Sequence, residues 1–396
     1  MIPVEEAKRI LFSKAGKVNV VAVDLLEASG CVLAESVFSP IDLPLFNQSA
    51  MDGYAVASVN LKNKKQFEIV GELKAGDAGS IFLQPGQAVR IFTGAEVPVS
   101  ADSIVIQEKA ERVNGSIYLS EVFHPGDCIR FKGSQIKKDE LALTKDTFLN
   151  PAAIGFLAAL GITQVPIYKK PEVSIIVTGN ELIKPGHVLN DGQVYESNSF
   201  SLHAALHQLH IRPKFIFTAL DEINELKNKI EKCLVDSDLI ILTGGISVGK
   251  YDLVHDALKS LEVETLFYKV AQKPGKPFFS GMWNGKPVFA LPGNPAAVLV
   301  CFYEYIYPII RTMQGFKNKS MPEVKLKLLK TISKKEDRAL FLRSSVMHDG
   351  VMPLDKQDSN MLFSFAEADS LIYVPIESEG INQGTMVEVH LLPFNK

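Results

Sequence analysis

The sequence predicts a multidomain α/β-plus-β protein: a mostly parallel, helix-covered sheet flanked by β-rich modules. Three observations carry that expectation. The chain has 396 residues, long for one domain and comfortable for about two to four. Between residues 173 and 313, apolar runs that read as buried strands alternate with helical stretches, the pattern of a parallel sheet covered on both faces. On either side, short apolar runs alternate with Gly, Pro and Asn-Gly turn signals, which mark small β modules.

The elements follow in chain order. Pro3 suits a first helical position, and Val4, Ala7, Ile10 and Leu11 share one helical face. From Pro40 to Pro44 two prolines keep the chain extended. Over 67–122 the runs FEIV, AVRIF, SIVIQ and SIYL are separated by GDAG, PG and NG, and Asn114-Gly115 is a hairpin signal. Asn150-Pro151 before AAIGFLAALG supplies a helix with its cap, its first-turn proline and a terminating Gly161. After Pro171 come five buried-strand runs: VSIIV, KFIF, DLIIL, ETLFYKV and PVFAL. Helices are expected over 198–210, 221–235, 252–261 and 295–313. From 323 the chain returns to β: Val324, Leu326 and Leu328 alternate with lysines, and LIYVP and MVEVHLL follow, enough for a small closing barrel or sandwich.

Composition narrows the class. With 42 basic against 45 acidic residues the net charge is −3, so nothing favours a nucleic-acid coat or an anionic membrane surface. Hydrophobic residues make up 46% and charged ones 22%, which excludes wholesale disorder. The opening MIPVEEAKRI has no apolar run and is no secretory signal. The apolar stretch 286–310 is broken by Pro292, Gly293, Asn294, Pro295 and Glu304, and reads as strand, turn and buried helix, not as a membrane span. Cys31, Cys128, Cys233 and Cys301 are scattered and form no CxxC. A soluble, cytoplasmic protein of a reducing compartment is expected.

In an open α/β sheet, ligands bind beyond the carboxyl ends of the strands. Four loops follow such ends: TGNELIKPG, TGGISVGKYD, KVAQKPGKP and PGNPAA. TGGISVG (with Gly244, Gly245 and Ser247) and PGNP (Pro292, Gly293, Asn294, Pro295) run into helices. Exposed N–H groups and the helix dipole there suit an anion, which glycine lets approach closely. Lys269, Lys273 and Lys276 add positive charge on the neighbouring loop. Ordinary βα turns use the same residue types, but four such loops at one edge favour an anionic ligand. Glu181, Asp221 and Asp252 lie at the same edge, where carboxylates beside a phosphate hold Mg²⁺. Asp221 and Asp252 serve equally well as helix caps.

Three other signals are weaker. Gly245 to Gly249 match G-x-S-x-G, but the triad mechanism needs an acid and then a histidine downstream. His255 is too close in sequence, and His348 and His390 fall in the β tail. His203, His207 and His210 could share a helix face for zinc, although surface histidines on helices are common. KPGKP is no Walker A loop.

PLFNQSAMDGYAV, RIFTGAEVP, TGNELIKPG, TGGISVGKYD, KPGKP and LPGNPAA, in this order and spacing, resemble the molybdopterin molybdenumtransferases, the MoeA and gephyrin E-domain family. The resemblance spans essentially the whole chain. It implies a homodimer with a shared active site. Each subunit would have an N-terminal helix and linking segments at 1–45 and 136–172, a β-rich inserted domain at 46–135, a MogA-like α/β domain at 173–322, and a C-terminal β-barrel at 323–396. The implied reaction takes adenylylated molybdopterin and molybdate with Mg²⁺, cleaves the phosphoanhydride, releases AMP and leaves molybdenum on the dithiolene. Small-molecule pterin is the implied partner, with transient contact to other molybdopterin-handling enzymes and none to nucleic acid or membrane.

By motif position, the resemblance assigns catalytic roles to Asp52 and Thr93 on the β-rich side and to Glu181, Asp221 and Asp252, the last three also as metal ligands. Lys269, Lys273 and Lys276 would meet phosphate or molybdate, Pro292 and Pro295 would shape their loop, and Arg343 and Ser364 match the family arginine and serine. A bidentate arginine suits an oxyanion. The chain departs from the family pattern at Gln135, where an acid is usual, at Asn180 in TGNEL, and in DSNMLFS. A MogA-like adenylyltransferase and a non-catalytic gephyrin-like scaffold are the alternative readings.

Overall fold

Alternation of buried strands and amphipathic helices produces a three-layer core around a six-stranded sheet. The computed structural model describes residues 1–58, 65–78, 80–246 and 252–394. The described chain divides into two compact units, one of residues 1–21 and 166–396, the other of residues 22–165. The helix Val4–Lys14, grouped by sequence with the linking segment, therefore belongs to the larger unit. Its Val4, Ala7 and Leu11 sit in the same core as Phe302, Ile306 and Ile310, which explains the assignment.

In the larger unit the strands run in the order Ile216–Ala219, Val173–Thr178, Leu239–Thr243, Lys286–Leu291, Pro277–Trp283, Glu264–Lys269. The first four are parallel. Pro277–Trp283 is antiparallel to both its neighbours, so Glu264–Lys269 runs in the same direction as the first four strands and the sheet is mostly parallel, with one reversed strand. Pro277–Trp283 is a strand absent from the sequence reading, because it begins inside the Pro-Gly-rich KPGKP segment. It returns through Asn284-Gly285, both at positive φ, into Lys286–Leu291. All residues of Val173–Thr178 and Leu239–Thr243 are buried, as a sheet covered on both faces requires. Asn198–Gln208 and Pro295–Met313 cover one face; Ile223–Asp236 and Leu253–Ser260 cover the other.

The helix over Pro295–Met313 is apolar and long enough to cross a membrane by composition alone, yet it is buried within the core. A π-helical turn at Phe302–Ile306 interrupts it, and every residue of that turn is buried. Glu304 on this turn accepts 2.7 Å contacts from Lys8 and His390, joining the N-terminal helix to the last strand, Met386–Leu391. Burial pushes the Glu304 carboxyl up, but Lys8 and His390 outweigh it and hold it at about 2. Burial pulls His390 down, and Glu304 in turn lifts it to about 9.

The C-terminal strands form the order Gln272–Lys273, Ala339–Met347, Ser370–Val374, Met386–Leu391, Glu323–Lys327. Gly350–Pro353 pairs with Ala339–Met347, and a bridge from Leu328 to Val351 closes the ring into the expected barrel. Around it pack Leu328, Leu340, Ile372, Val374 and Val389.

The smaller unit is built on the strand order Ser103–Ile106, Gly53–Val56, Gln87–Ile91, Gln66–Leu73, Ser116–Leu119, Ala110–Val113. Asn114 and Gly115 turn the last hairpin at φ 49° and 81°, as the dipeptide predicts. Its Asn150-capped helix, Pro151–Ala159, is likewise where the sequence puts it, with the cap oxygen 2.9 Å from the Ala153 N–H.

Candidate functional site

At the carboxyl ends of the parallel strands, two turns are locked against each other. Gly244 follows the Leu239–Thr243 strand at φ 87° and donates its N–H to Leu291 at 3.2 Å. A Cβ on Gly244 would lie 2.2 Å from the Thr178 carbonyl oxygen, and one on Gly245 would lie 2.5 Å from Thr178 Oγ1. Only glycine fits this approach of neighbouring strand ends. Thr243 Oγ1 donates to the Pro292 carbonyl at 3.0 Å. Asn198 Nδ2 then bridges Thr243 Oγ1 at 3.0 Å and the Gly293 carbonyl at 2.8 Å. One buried amide thus ties the start of a helix, a strand end and the PGNP turn together. Its orientation is forced, since the reversed amide would set oxygen against the Gly293 carbonyl.

Asn294 and Gly293 are exposed, while Pro292 is buried and Pro295 opens the helix. Asn294 Nδ2 donates to Ser359 Oγ at 2.8 Å, and the Ala296 N–H is taken by the Ser359 carbonyl at 3.0 Å. One donor that the sequence leaves open for an anion is therefore occupied, because a loop of the barrel folds over the helix start. Ser247 and the rest of G-x-S-x-G beyond Ile246 lie outside the described residues.

The KPGKP loop is held from beneath. Gln272 is fully buried; its amide donates to the Pro274 carbonyl at 2.9 Å and accepts from Tyr305 on the π-helical turn. Gln272 and Lys273 add a parallel edge to the barrel, opposite Ala339 and Leu340. Lys273 is exposed and paired with Glu336. Lys269 and Lys276 are partly exposed, with the Lys269 ammonium 5.4 Å from the Tyr268 ring centroid.

Arg343 is 0% exposed. Its Nη2 donates to the Lys356 and Asp358 carbonyls at 2.8 and 3.2 Å, while Nε and Nη1 have no partner. Burial pulls its pKa down to about 10, with Asp358 opposing. Ser364 Oγ donates to the same Lys356 carbonyl at 2.9 Å. Arg343 and Ser364 therefore converge on the loop that also reaches Asn294.

A sequence profile of the MoeA N-terminal region (domain I and II) matches residues 2–161. One described as a probable molybdopterin binding domain matches 174–312, and the MoeA C-terminal region (domain IV) matches 325–392. The chain is 34% identical to a molybdopterin molybdenumtransferase of Nostoc sp., covering 100% of this chain and 94% of that protein. It is 33% identical to molybdopterin molybdenumtransferase 2 of Mycobacterium tuberculosis, over 98% and 99%. The crystal structure of the molybdopterin biosynthesis MoeA protein from Pyrococcus horikosii superposes at TM-score 0.85 and 32% identity, covering 99% of each chain. The chain belongs to the MoeA family.

The remaining residues that the MoeA resemblance singles out are placed as follows. Asp52 and Thr93 lie in the smaller unit, where Asp52 Oδ1 accepts from the Thr93 N–H at 2.8 Å and hydroxyl at 2.7 Å. The Thr93 backbone bond, then its hydroxyl, holds the Asp52 carboxyl below its ordinary range. Gln135 is exposed in that unit and lines a hollow with Pro44, Phe46 and Arg130. Glu181 and Asp221 are exposed on adjacent strand-end loops, tied by a 3.0 Å bond from the Asp221 N–H to Asn180 Oδ1. Asp252 caps its helix, accepting from the His255 N–H at 2.9 Å.

Among the described residues no three acidic, imidazole or thiol side chains form a ready metal cluster. The three-acid set is therefore not gathered as one cage. Two exposed carboxylates on tied loops still fit Mg²⁺, which keeps waters and takes substrate phosphate oxygens. His203 and His207 are exposed on their helix, and His210 follows it at φ 56°. Sequence reasoning missed Asn198, Gln272, Glu336 and Ser359. Asn198 and Gln272 are uncharged amides that meet Thr243 and Tyr305 from distant parts of the chain, and Glu336 lies in the charged run KKED.

Proposed function

We propose that this protein transfers molybdenum to molybdopterin, taking adenylylated molybdopterin and molybdate, breaking the phosphoanhydride and releasing AMP. The observation that carries the reading is the full-length match to molybdopterin molybdenumtransferases, whose C-terminal region here is joined by the lysine loop of the molybdopterin-binding domain. The two glycines and the PGNP turn, fixed by Asn198, form a narrow floor suited to a diphosphate. Lys269, Lys273 and Lys276 neutralise anionic oxygen. Glu181 and Asp221 would hold Mg²⁺, which lowers the charge of the diphosphate. The MoeA N-terminal and C-terminal regions favour this reading over an adenylyltransferase made of the central domain alone.

The active enzyme is a homodimer with a shared active site in this reading; Asp52 and Thr93 belong to one compact unit, Glu181 and Lys273 to the other. It works in the cytoplasm; four free cysteines accord with a reducing compartment. The deciding experiment supplies adenylylated molybdopterin, molybdate and Mg²⁺ and measures AMP. Molybdate-dependent AMP release is expected. Release that ignores molybdate, or none at all, would overturn the proposal.

A further inference from the structure

Lys273, the exposed lysine of the KVAQKPGKP loop, is not free. Its ammonium is paired with the Glu336 carboxylate. Both partners are held in place. Lys273 is fixed by its parallel register with Leu340, and Glu336 Oε2 also accepts from the Lys335 N–H at 3.2 Å. The Lys273 bond holds the Glu336 carboxyl below its ordinary range. The pair lines a hollow of the larger unit whose other charged groups are Lys330 and Asp358. Lys330 in turn contacts Asp355 at 3.1 Å. The hollow therefore has balanced charge, with two ammonium groups facing two carboxylates. A balanced hollow is a poor site for a dianion.

We propose that Glu336 is a placeholder carboxylate, a specificity-determining residue that occupies Lys273 in the empty enzyme and must be displaced by the incoming tetrahedral oxyanion. This rests on the reading of Lys273 as an anion-binding lysine. The arrangement sets a threshold for anion capture. A dianion carries more charge than the carboxylate and can displace it, whereas a monoanion such as chloride competes with it poorly. Glu336 thereby raises the concentration of oxyanion needed to fill the site and discriminates against singly charged anions. An alternative role, in which Glu336 merely steadies Lys273 in its binding geometry, makes the opposite prediction.

The test compares wild type, Glu336→Gln, Lys273→Ala and the double variant. Two readouts are used: equilibrium dialysis of molybdate against the full-length protein, and the molybdate concentration giving half-maximal AMP release. Glu336→Gln is expected to lower both by about threefold to tenfold, the range of a partly exposed ion pair plus relief of repulsion. Chloride should inhibit this variant more strongly than wild type. In the Lys273→Ala background the same change should have much less effect, since the cation it masks is gone. A higher molybdate requirement for Glu336→Gln would make Glu336 a positioning residue and overturn the inference. An unchanged requirement in both readouts would overturn it too. Wild-type protein that binds molybdate but releases no AMP would instead count against the proposed reaction, leaving the dialysis comparison to judge Glu336.

Discussion

At the scale of single residues, the site depends on what is absent from glycine. Gly244 and Gly245 sit at positive φ with Thr178 where a side chain would be. Gly244→Ala must both accept a left-handed backbone and push a Cβ against the Thr178 carbonyl, which is main chain and cannot swing away. We expect a loss of about 2–4 kcal/mol in chemical denaturation. Gly161→Ala, also at positive φ but with nothing within 4 Å of its Cβ, should cost only about 1 kcal/mol. Equal losses would show that backbone strain alone matters, and that the close approach of the strand ends does not.

At the scale of elements, Asn198 joins three of them with one amide. Asn198→Ala removes two hydrogen bonds and leaves the Gly293 carbonyl without its side-chain donor. The expected cost is about 1–3 kcal/mol, with a marked fall in AMP release as the PGNP turn loosens. Asn198→Asp keeps the shape but sets a carboxylate against that carbonyl, so it should be the worse variant for turnover. If both variants melt early yet retain wild-type kcat and KM on the folded fraction, the amide only stabilises and does not position the turn. The π-helical turn plays a related part by presenting Glu304 to Lys8 and His390, and Tyr305 to Gln272.

At the scale of the whole molecule, that Glu304 cluster gives the fold a pH signature. His390 has its pKa lifted from 6.5 to about 9, so its contribution is complete below the lower value and disappears as pH rises through the upper one. Glu304 is held at about 2 against an ordinary 4.5, so its contribution is present above 4.5 and is lost as pH falls toward about 2. The melting temperature should therefore be highest near pH 4.5–6.5 and decline toward pH 9. Glu304→Gln should cost about 3–5 kcal/mol at the plateau, because two cations lose their shared anion, and should flatten the alkaline decline. A decline that survives the substitution unchanged would assign it to another group. The proposed dimer is tested by complementation. Asp52→Ala subunits mixed with Glu181→Ala subunits should partly regain AMP release, since one of the two shared sites then carries neither lesion. No recovery despite demonstrated subunit exchange would mean that each site is built within one subunit.

The order of modules, the buried parallel strands, the Asn150 cap and the Asn114-Gly115 hairpin were determined locally, because hydrophobic period, capping chemistry and turn residues act over a few positions. The strand-end loops were legible for the same reason: topology places their ligands, and glycine, proline and lysine announce them. The Pro277–Trp283 strand carried a readable signal in Asn284-Gly285, masked by the prolines at its start. What only tertiary structure decided is which groups meet. Arg343 reads as an oxyanion-binding arginine but is buried with two donors unpartnered. Asp252 is used as a cap, the Ala296 N–H is taken by Ser359, and Lys273 faces Glu336 across 63 positions of sequence. A side chain's type is fixed by the sequence, but its charge state, its partner and its freedom are set by whichever distant segment packs against it.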